Sequence, residues 1–208
     1  MAKIELKNVA HSYAPDVENP EYALKKCNLS WKDGGRYAVL GPSGCGKTTM
    51  LNIMSGLVTP SEGTIKFDGF DITHMSTAER NIAQVFQFPV IYNTMTVAQN
   101  LGFPLLCRNY PKEVITKKVD QVAQTLGLEN LLNLRATKLT ADQKQLISLG
   151  RGLVREDVAA ILMDEPLTVI DPDLKFRLRR RLKEINELYK STLIYVTHDQ
   201  NEAMTFAE

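Results

Sequence analysis

The stretch "GPSGCGKTT", Gly41 to Thr49, decides the fold. It satisfies G-x-x-x-x-G-K-[ST], follows the apolar run "RYAVL" and opens the helical pattern "KTTMLNIMSGL". Glycines at Gly41, Gly44 and Gly46 let the backbone wrap phosphates with its N–H groups turned inward. The helix N-terminus that follows adds positive potential. Lys47 can reach the β- and γ-phosphates, and the Thr48 hydroxyl can sit on Mg²⁺. From average residue frequencies, a chance match in a chain this size is on the order of one per cent. The predicted nucleotide-binding stretch is therefore Gly41, Pro42, Ser43, Gly44, Cys45, Gly46, Lys47, Thr48 and Thr49, with Cys45 a packing residue rather than a nucleophile.

Working outward, "AAILMDEP" ends an apolar strand in two acids. Asp164, at the strand's end, can hold Mg²⁺ through water. Glu165, next along, can poise a water against the γ-phosphate. Adjacent carboxylates at a strand end mean little alone, but paired with the phosphate loop they point to triphosphate hydrolysis. "VTHD" follows the next strand, so His198 is expected at the same sheet edge, able to donate to the γ-phosphate. Gln87, in "VFQFP", can offer an amide to Mg²⁺ or to the attacking water.

Composition narrows the class. The chain has 208 residues, 25 basic and 24 acidic, for a formal charge of +1. That length carries one medium core, or one core plus a small inserted lobe. The charge balance gives no basic surface for nucleic acid. The one basic cluster, "KFRLRRRLK" from Lys175 to Lys183, reads as the solvated face of an amphipathic helix. Leu174, Leu178, Leu182, Ile185 and Leu188 recur through it at helical spacing. Three cysteines, Cys27, Cys45 and Cys107, suit a reducing cytosol without a disulfide framework. "MAKIELKNVA" shows no apolar signal region, and the longest fully apolar run, "VAAILM", is far too short to span a bilayer. A membrane role would be played from the surface, through a partner.

Periodicity supplies the elements. "KIELKNV" alternates as a strand, and "YALKKCNLSWKDGGRYAVLG" reads as strand, Gly-Gly turn, strand. "EGTIKFDGF" is a further short strand and turn. Ser76 and Glu79 have capping-box spacing for a short helix. Lys112 to Leu126 is helical with Val114, Ile115, Val119, Val122 and Leu126 inward. Another helix runs from near Thr140 to about Leu153, and one from Pro172 to about Tyr189. "VAAILMDE" and "TLIYVTHD" are nearly continuous in apolar residues, as buried parallel strands require. The predicted organisation is a nucleotide-binding α/β core, residues 1–87 and 157–208, interrupted by a mostly helical insert, residues 88–156.

These parts, in this order, resemble the ATP-binding subunits of ABC transporters, closest to the carbohydrate and polyol importer branch. The resemblance runs from about Ile4 to the last residue. It is carried by "GPSGCGKTT", "VFQ" with "NTMTVAQNLGFPL", "MDEPLTVIDPDLK" and "VTHDQNEAM". It implies a P-loop NTPase (RecA-like) α/β core with an N-terminal antiparallel β part and an inserted helical subdomain. It further implies that Tyr13 stacks on adenine and that Gln87 senses the γ-phosphate and the membrane subunit. By the same resemblance Asp164 is the metal-linked aspartate, Glu165 the catalytic glutamate, Asp171 an aspartate reaching across a dimer, and His198 the switch histidine. ATP and Mg²⁺ are the expected substrate and cofactor. Expected partners are membrane-spanning permease subunits, a second ATP-binding subunit and, indirectly, an extracytoplasmic solute-binding protein. The expected location is peripheral, on the cytoplasmic face of the inner membrane. "FPVIYNTMTVAQNL" lies where the permease contact would be.

One stretch departs from the family pattern. "LTADQ" stands where L-S-G-G-Q is usual: Leu139 and Gln143 are kept, Thr140 keeps a hydroxyl, and Ala141 and Asp142 replace the glycines. In that family the segment caps the γ-phosphate bound by the other subunit. Two like charges about 4 Å apart cost on the order of 4 kcal/mol at an effective dielectric near 20. Even a net cost of about 2 kcal/mol is roughly thirtyfold in affinity. Gly150 and Gly152 further burden the helix, at roughly 1 kcal/mol each. A heterodimer follows as the simplest arrangement: another subunit completes this chain's intact site, while "LTADQ" faces the partner's phosphate loop. The alternative is a homodimer with slow turnover.

Two other classes compete. A soluble ABC-type ATPase of translation or DNA repair usually shows a second cassette, a long coiled coil or a basic arm. A P-loop kinase or GTPase does not fit Asp164-Glu165 with Gln87 and His198. The resemblance implies further strands, and in this branch a β-domain, beyond "EAMTFAE". The solute is chosen elsewhere; a sugar, polyol or glycerol-like molecule rests on resemblance alone.

Overall fold

The computed structural model describes residues 2–168 and 170–207. In chain order the strands are β1 (Ile4–His11), β2 (Leu24–Trp31), β3 (Arg36–Leu40), β4 (Glu62–Phe67), β5 (Phe70–Asp71), β6 (Ala83–Val85), β7 (Ile161–Asp164) and β8 (Leu193–Thr197). The α-helices are α1 (Lys47–Ser55), α2 (Thr77–Arg80), α3 (Val97–Leu106), α4 (Lys112–Leu126), α5 (Ala141–Leu153), α6 (Pro172–Tyr189) and α7 (Gln200–Phe206). Contacts divide the chain into two units: Met1–Gln84, Asp157–Asp164 and Ile185–Glu208 form one, and Val85–Glu156 with Glu165–Glu184 the other. The fold is the expected P-loop α/β type, with an antiparallel sheet ordered β2-β1-β4-β5 and a second sheet ordered β3-β8-β7-β6.

In the first unit, β1 buries Ile4, Leu6 and Val9, and pairs antiparallel with β2 and β4. A bulge between Leu6 and Val9 puts Asn8 at φ 51°. Gly63 makes room for it, since a Cβ there would lie 2.4 Å from the Asn8 carbonyl oxygen. β7 and β8 are buried throughout and run parallel, so both faces are covered and polar alternation is absent. Their register sets Asp164 opposite Val196, while Leu40 at the end of β3 lies opposite Thr197. The phosphate loop, Asp164 and His198 therefore all leave the sheet at the carboxyl ends of its strands, the edge where open α/β sheets bind ligands.

Helix α1 packs Met50, Leu51, Ile53 and Met54 into the core shared by the two sheets. Its far end is closed by Arg80, 3% exposed, whose guanidinium donates to the carbonyls of Ile53 (2.6 Å), Met54 (3.1 Å), Thr73 (2.8 Å) and Met75 (3.0 Å). The capping box at Ser76 and Glu79 that positions Arg80 forms as the sequence predicts.

In the second unit, α3, α4 and α5 pack closely. A Cβ on Gly102 of α3 would meet Ile115 at 2.8 Å, and one on Gly150 of α5 would meet Leu101 at 2.5 Å and Leu126 at 3.0 Å. Gly150 is thus a close-approach residue, a packing role that stands beside its propensity cost in the helix. Helix α4 matches its predicted bounds; it buries Val119, Ala123 and Leu126, and leaves Val114, Ile115 and Val122 half-buried. Helix α3 was not foreseen. Its second half carries Pro104, and buried Asn100 ties it to the preceding loop through Tyr92 and Thr96. In α6, Leu178 and Leu182 are buried beneath an exposed basic face; the side chain of Leu188 lies outside the described residues.

Candidate functional site

The first unit carries the phosphate cradle. Gly44 and Gly46 sit at φ 80° and 90°, and a Cβ on Gly46 would lie 2.4 Å from the Ala23 carbonyl oxygen. The Cys45 thiol is exposed, yet its sulfur occupies the space a Gly41 Cβ would need, at 2.7 Å. Pro42 accepts the Cys45 amide at 3.4 Å, and Ser43 is exposed. Lys47, 8% exposed, turns its ammonium into its own loop, donating to the carbonyls of Gly41 (2.7 Å) and Pro42 (2.8 Å).

Thr48 Oγ1 donates to Asp164 Oδ2 at 2.7 Å, with Asp164 4% exposed. A hydroxyl and a carboxylate are hard oxygen donors, and Mg²⁺ typically takes one or two such protein ligands beside phosphate oxygens and water. This pair fits that ion. Tyr13, 65% exposed, bonds through its hydroxyl to Thr49 Oγ1 at 3.3 Å and packs against the His11 ring at 89°, with centroids 4.6 Å apart. Its free ring surface suits stacking.

His198 is exposed, but its neighbours are pinned. Buried Glu202 accepts the hydroxyls of Tyr195 (2.9 Å) and Thr197 (3.0 Å), the Asp199 amide donates to Thr197 Oγ1, and Asp199 caps α7.

The second unit carries Gln87, Glu165, Asp171 and "LTADQ". Glu165 has φ 44°, a left-handed conformation uncommon outside glycine and costly to hold. The Thr168 hydroxyl donates to the Glu165 carbonyl at 3.0 Å and holds that turn. Asp171 accepts the amides of Asp173 (3.0 Å) and Leu174 (3.4 Å), capping α6.

Leu139 is buried, and Thr140 is the N-cap of α5. Thr140 Oγ1 accepts the Gln143 amide at 3.3 Å, and Gln143 Oε1 accepts the Thr140 amide at 3.0 Å. Ala141 is exposed, and Asp142 stands half-buried in the first turn, where the helix dipole favours a carboxylate. Three residues near these sites escaped the sequence reading: Arg80, His11 and Gln145. Gln145 lies two residues past "LTADQ", and nothing in its spacing marks it.

A family model described as ABC transporter matches residues 24–168. The sn-glycerol-3-phosphate import ATP-binding protein UgpC 1 of Rhizobium etli is 40% identical over 208 residues, all of this chain and 58% of that protein. The trehalose import ATP-binding protein SugC of Mycobacterium tuberculosis is also 40% identical over 208 residues, 52% of its length. A dimeric ATP-binding cassette in a post-hydrolysis state, bound to ADP and Pi, superposes with a TM-score of 0.87 at 30% identity, covering 98% of this chain and 91% of that one. The chain spans little more than half the length of the curated relatives it matches.

Proposed function

Because the chain belongs to the ABC transporter family, we propose that it is the ATP-hydrolysing motor subunit of a solute importer. The observation that carries this is the Thr48–Asp164 pair at the foot of the phosphate loop. Lys47 exchanges its loop carbonyls for the β- and γ-phosphates. Thr48 and Asp164 would hold Mg²⁺, which when bound neutralises phosphate charge, and Gln87 keeps the role of offering its amide oxygen to the ion or to the attacking water. Tyr13 stacks on adenine, Glu165 acts as general base toward water, and His198 donates toward the γ-phosphate. Asp171 serves the interface with a second ATP-binding subunit.

The helical insert, residues 88–156, carries the motion to membrane-spanning permeases. Phe88 (74% exposed), Val90 (50%) and Leu106 (60%) support an apolar contact there. Among the described residues, no helix is long and apolar enough to cross a membrane. The chain acts as a peripheral subunit on the cytoplasmic face. Relatives named for sn-glycerol-3-phosphate and trehalose import support a sugar-, polyol- or glycerol-like solute supplied by an external binding protein.

Asp142 favours a finer reading. A carboxylate on the first turn of α5 opposes a phosphate presented by the opposite subunit, so a heterodimer with one weakened site is favoured over a homodimer. The primary test is ATP binding by Lys47→Ala. A loss of at least tenfold is expected, and unchanged affinity overturns the assignment. Co-purification from detergent extracts tests the transport arm: polytopic membrane proteins support it, whereas ribosomes or DNA do not.

A further inference from the structure

We infer that Gln145 is a positioning residue that sets the backbone of both the Gln87 loop and the Glu165 turn from the helix that begins at "LTADQ". The inference rests on the hydrolytic roles proposed above for those two residues. Gln145 lies on α5, two residues past Gln143, and is fully buried. Its Nε2 donates to the carbonyl of Phe86 at 3.4 Å and to the carbonyl of Pro166 at 2.8 Å. Phe86 precedes Gln87 and Pro166 follows Glu165, so one amide group spans the neighbours of two residues assigned to the chemistry.

Three observations make this more than packing. The orientation of the amide is fixed, because reversing it would set Oε1 against two carbonyl oxygens. Oε1 itself is buried and has no partner among the described residues. Such an orphan acceptor is unfavourable, and an apolar side chain of similar size would avoid it. The residue's contribution therefore lies in what its N–H groups hold. Finally, Pro166 follows a residue at φ 44°, a conformation that persists only where surrounding bonds over-determine it. The Thr168 hydroxyl and amide, both on the Glu165 carbonyl, supply such bonds, and Gln145 adds one on Pro166. Because Thr140 caps α5, any displacement of the helix N-terminus at a subunit interface is passed by Gln145 to both loops.

The test uses the full chain in the assembly that turns over ATP. Gln145→Met keeps length and volume but removes both donors. Gln145→Glu keeps size but places acceptor oxygens before two carbonyls, and regains a donor only when protonated. Both variants are expected to lower kcat at least tenfold while the Kd for ATP–Mg stays within twofold and the melting temperature stays close to that of the parent. The activity of Gln145→Glu relative to the parent should rise as pH falls, which a packing role would not produce. Parental kcat in Gln145→Met, or kcat and Kd lost together in step with melting temperature, overturns the inference. Failure of the unaltered protein to hydrolyse ATP would instead sink the functional reading on which it rests.

Discussion

Thr48 and Asp164, 116 residues apart in sequence, meet through a 2.7 Å hydrogen bond from hydroxyl to carboxylate. The phosphate-loop segment supplies one oxygen and the end of β7 the other, so the pair is assembled by sheet order. Asp164→Asn keeps the shape and removes the charge. A hydrogen bond to a charged group contributes about 1.5–3 kcal/mol. ATP affinity in the presence of Mg²⁺ should therefore fall roughly 10- to 100-fold, while affinity measured with a chelator changes little. Calorimetric titration under both conditions checks it; equal losses in the two would mean that Asp164 does not act through the metal.

Asp142 stands in the first turn of α5, beside a closed capping box between Thr140 and Gln143. The carboxylate stabilises the helix through its dipole, by about 0.3–1 kcal/mol, and in the proposed dimer it would oppose an incoming phosphate. Asp142→Gly should therefore act with opposite signs on two quantities. The melting free energy should drop by about 1 kcal/mol, since glycine also disfavours helix. ATP-driven association with a second subunit should strengthen roughly thirtyfold, the figure for a net repulsion of about 2 kcal/mol. Thermal melting and sedimentation with ATP separate the two, and unchanged association would remove the electrostatic reason for a heterodimer.

The Arg80 guanidinium closes the far end of the phosphate-loop helix with bonds to four carbonyls. Burial pushes its pKa below the usual arginine value, though an arginine stays charged at any ordinary pH. Arg80→Met removes the guanidinium donors from those carbonyls, of which that of Ile53 keeps the Gly56 amide at 3.3 Å, at a cost of about 3 kcal/mol. For a chain of this size the melting temperature should fall by about 6–12 °C. Arg80→Lys should recover less than half, because one ammonium cannot reproduce the planar fork. Full recovery by lysine would show that charge alone closes the helix.

Much of this fold was legible because its signals are local. The phosphate loop sits between a strand and a helix, as read, because glycine spacing and the apolar run beside it encode both. Helices α4 and α6 match the predicted bounds, Lys112–Leu126 and Pro172–Tyr189, since apolar periodicity and flanking Pro111, Gly127 and Pro172 mark their ends. What escaped depends on distant partners. Pro104 and the apolar loop before it concealed α3, whose stability comes from buried Asn100 and from packing on α4 and α5. Gln145 was illegible for the same reason: a mid-helix glutamine is ordinary until its acceptors, 59 and 21 residues away, are known. The close approach at Gly150 was hidden likewise, because propensity is visible in a sequence and a neighbour's methyl group is not.

Gly150 offers the sharpest test of that last point. Helix propensity alone predicts that Gly150→Ala stabilises α5 by about 1 kcal/mol. A Cβ there would lie 2.5 Å from Leu101 Cδ2 and 3.0 Å from Leu126 Cδ1. Leu101 is wholly buried, so its methyl group cannot swing into solvent. Overpacking costs about 1–3 kcal/mol and should outweigh the propensity gain, leaving a net loss of about 1 kcal/mol and a melting temperature lower by about 2–4 °C. Leu101→Ala alone creates a cavity costing about 2–5 kcal/mol, but the same cavity accommodates the new methyl group. The double variant should therefore be more stable than the sum of the single changes by roughly 1 kcal/mol, as contacting positions are coupled. Additive losses, or a Gly150→Ala protein that melts above its parent, would mean that α5 tolerates the side chain and that the glycine does weaken its helix.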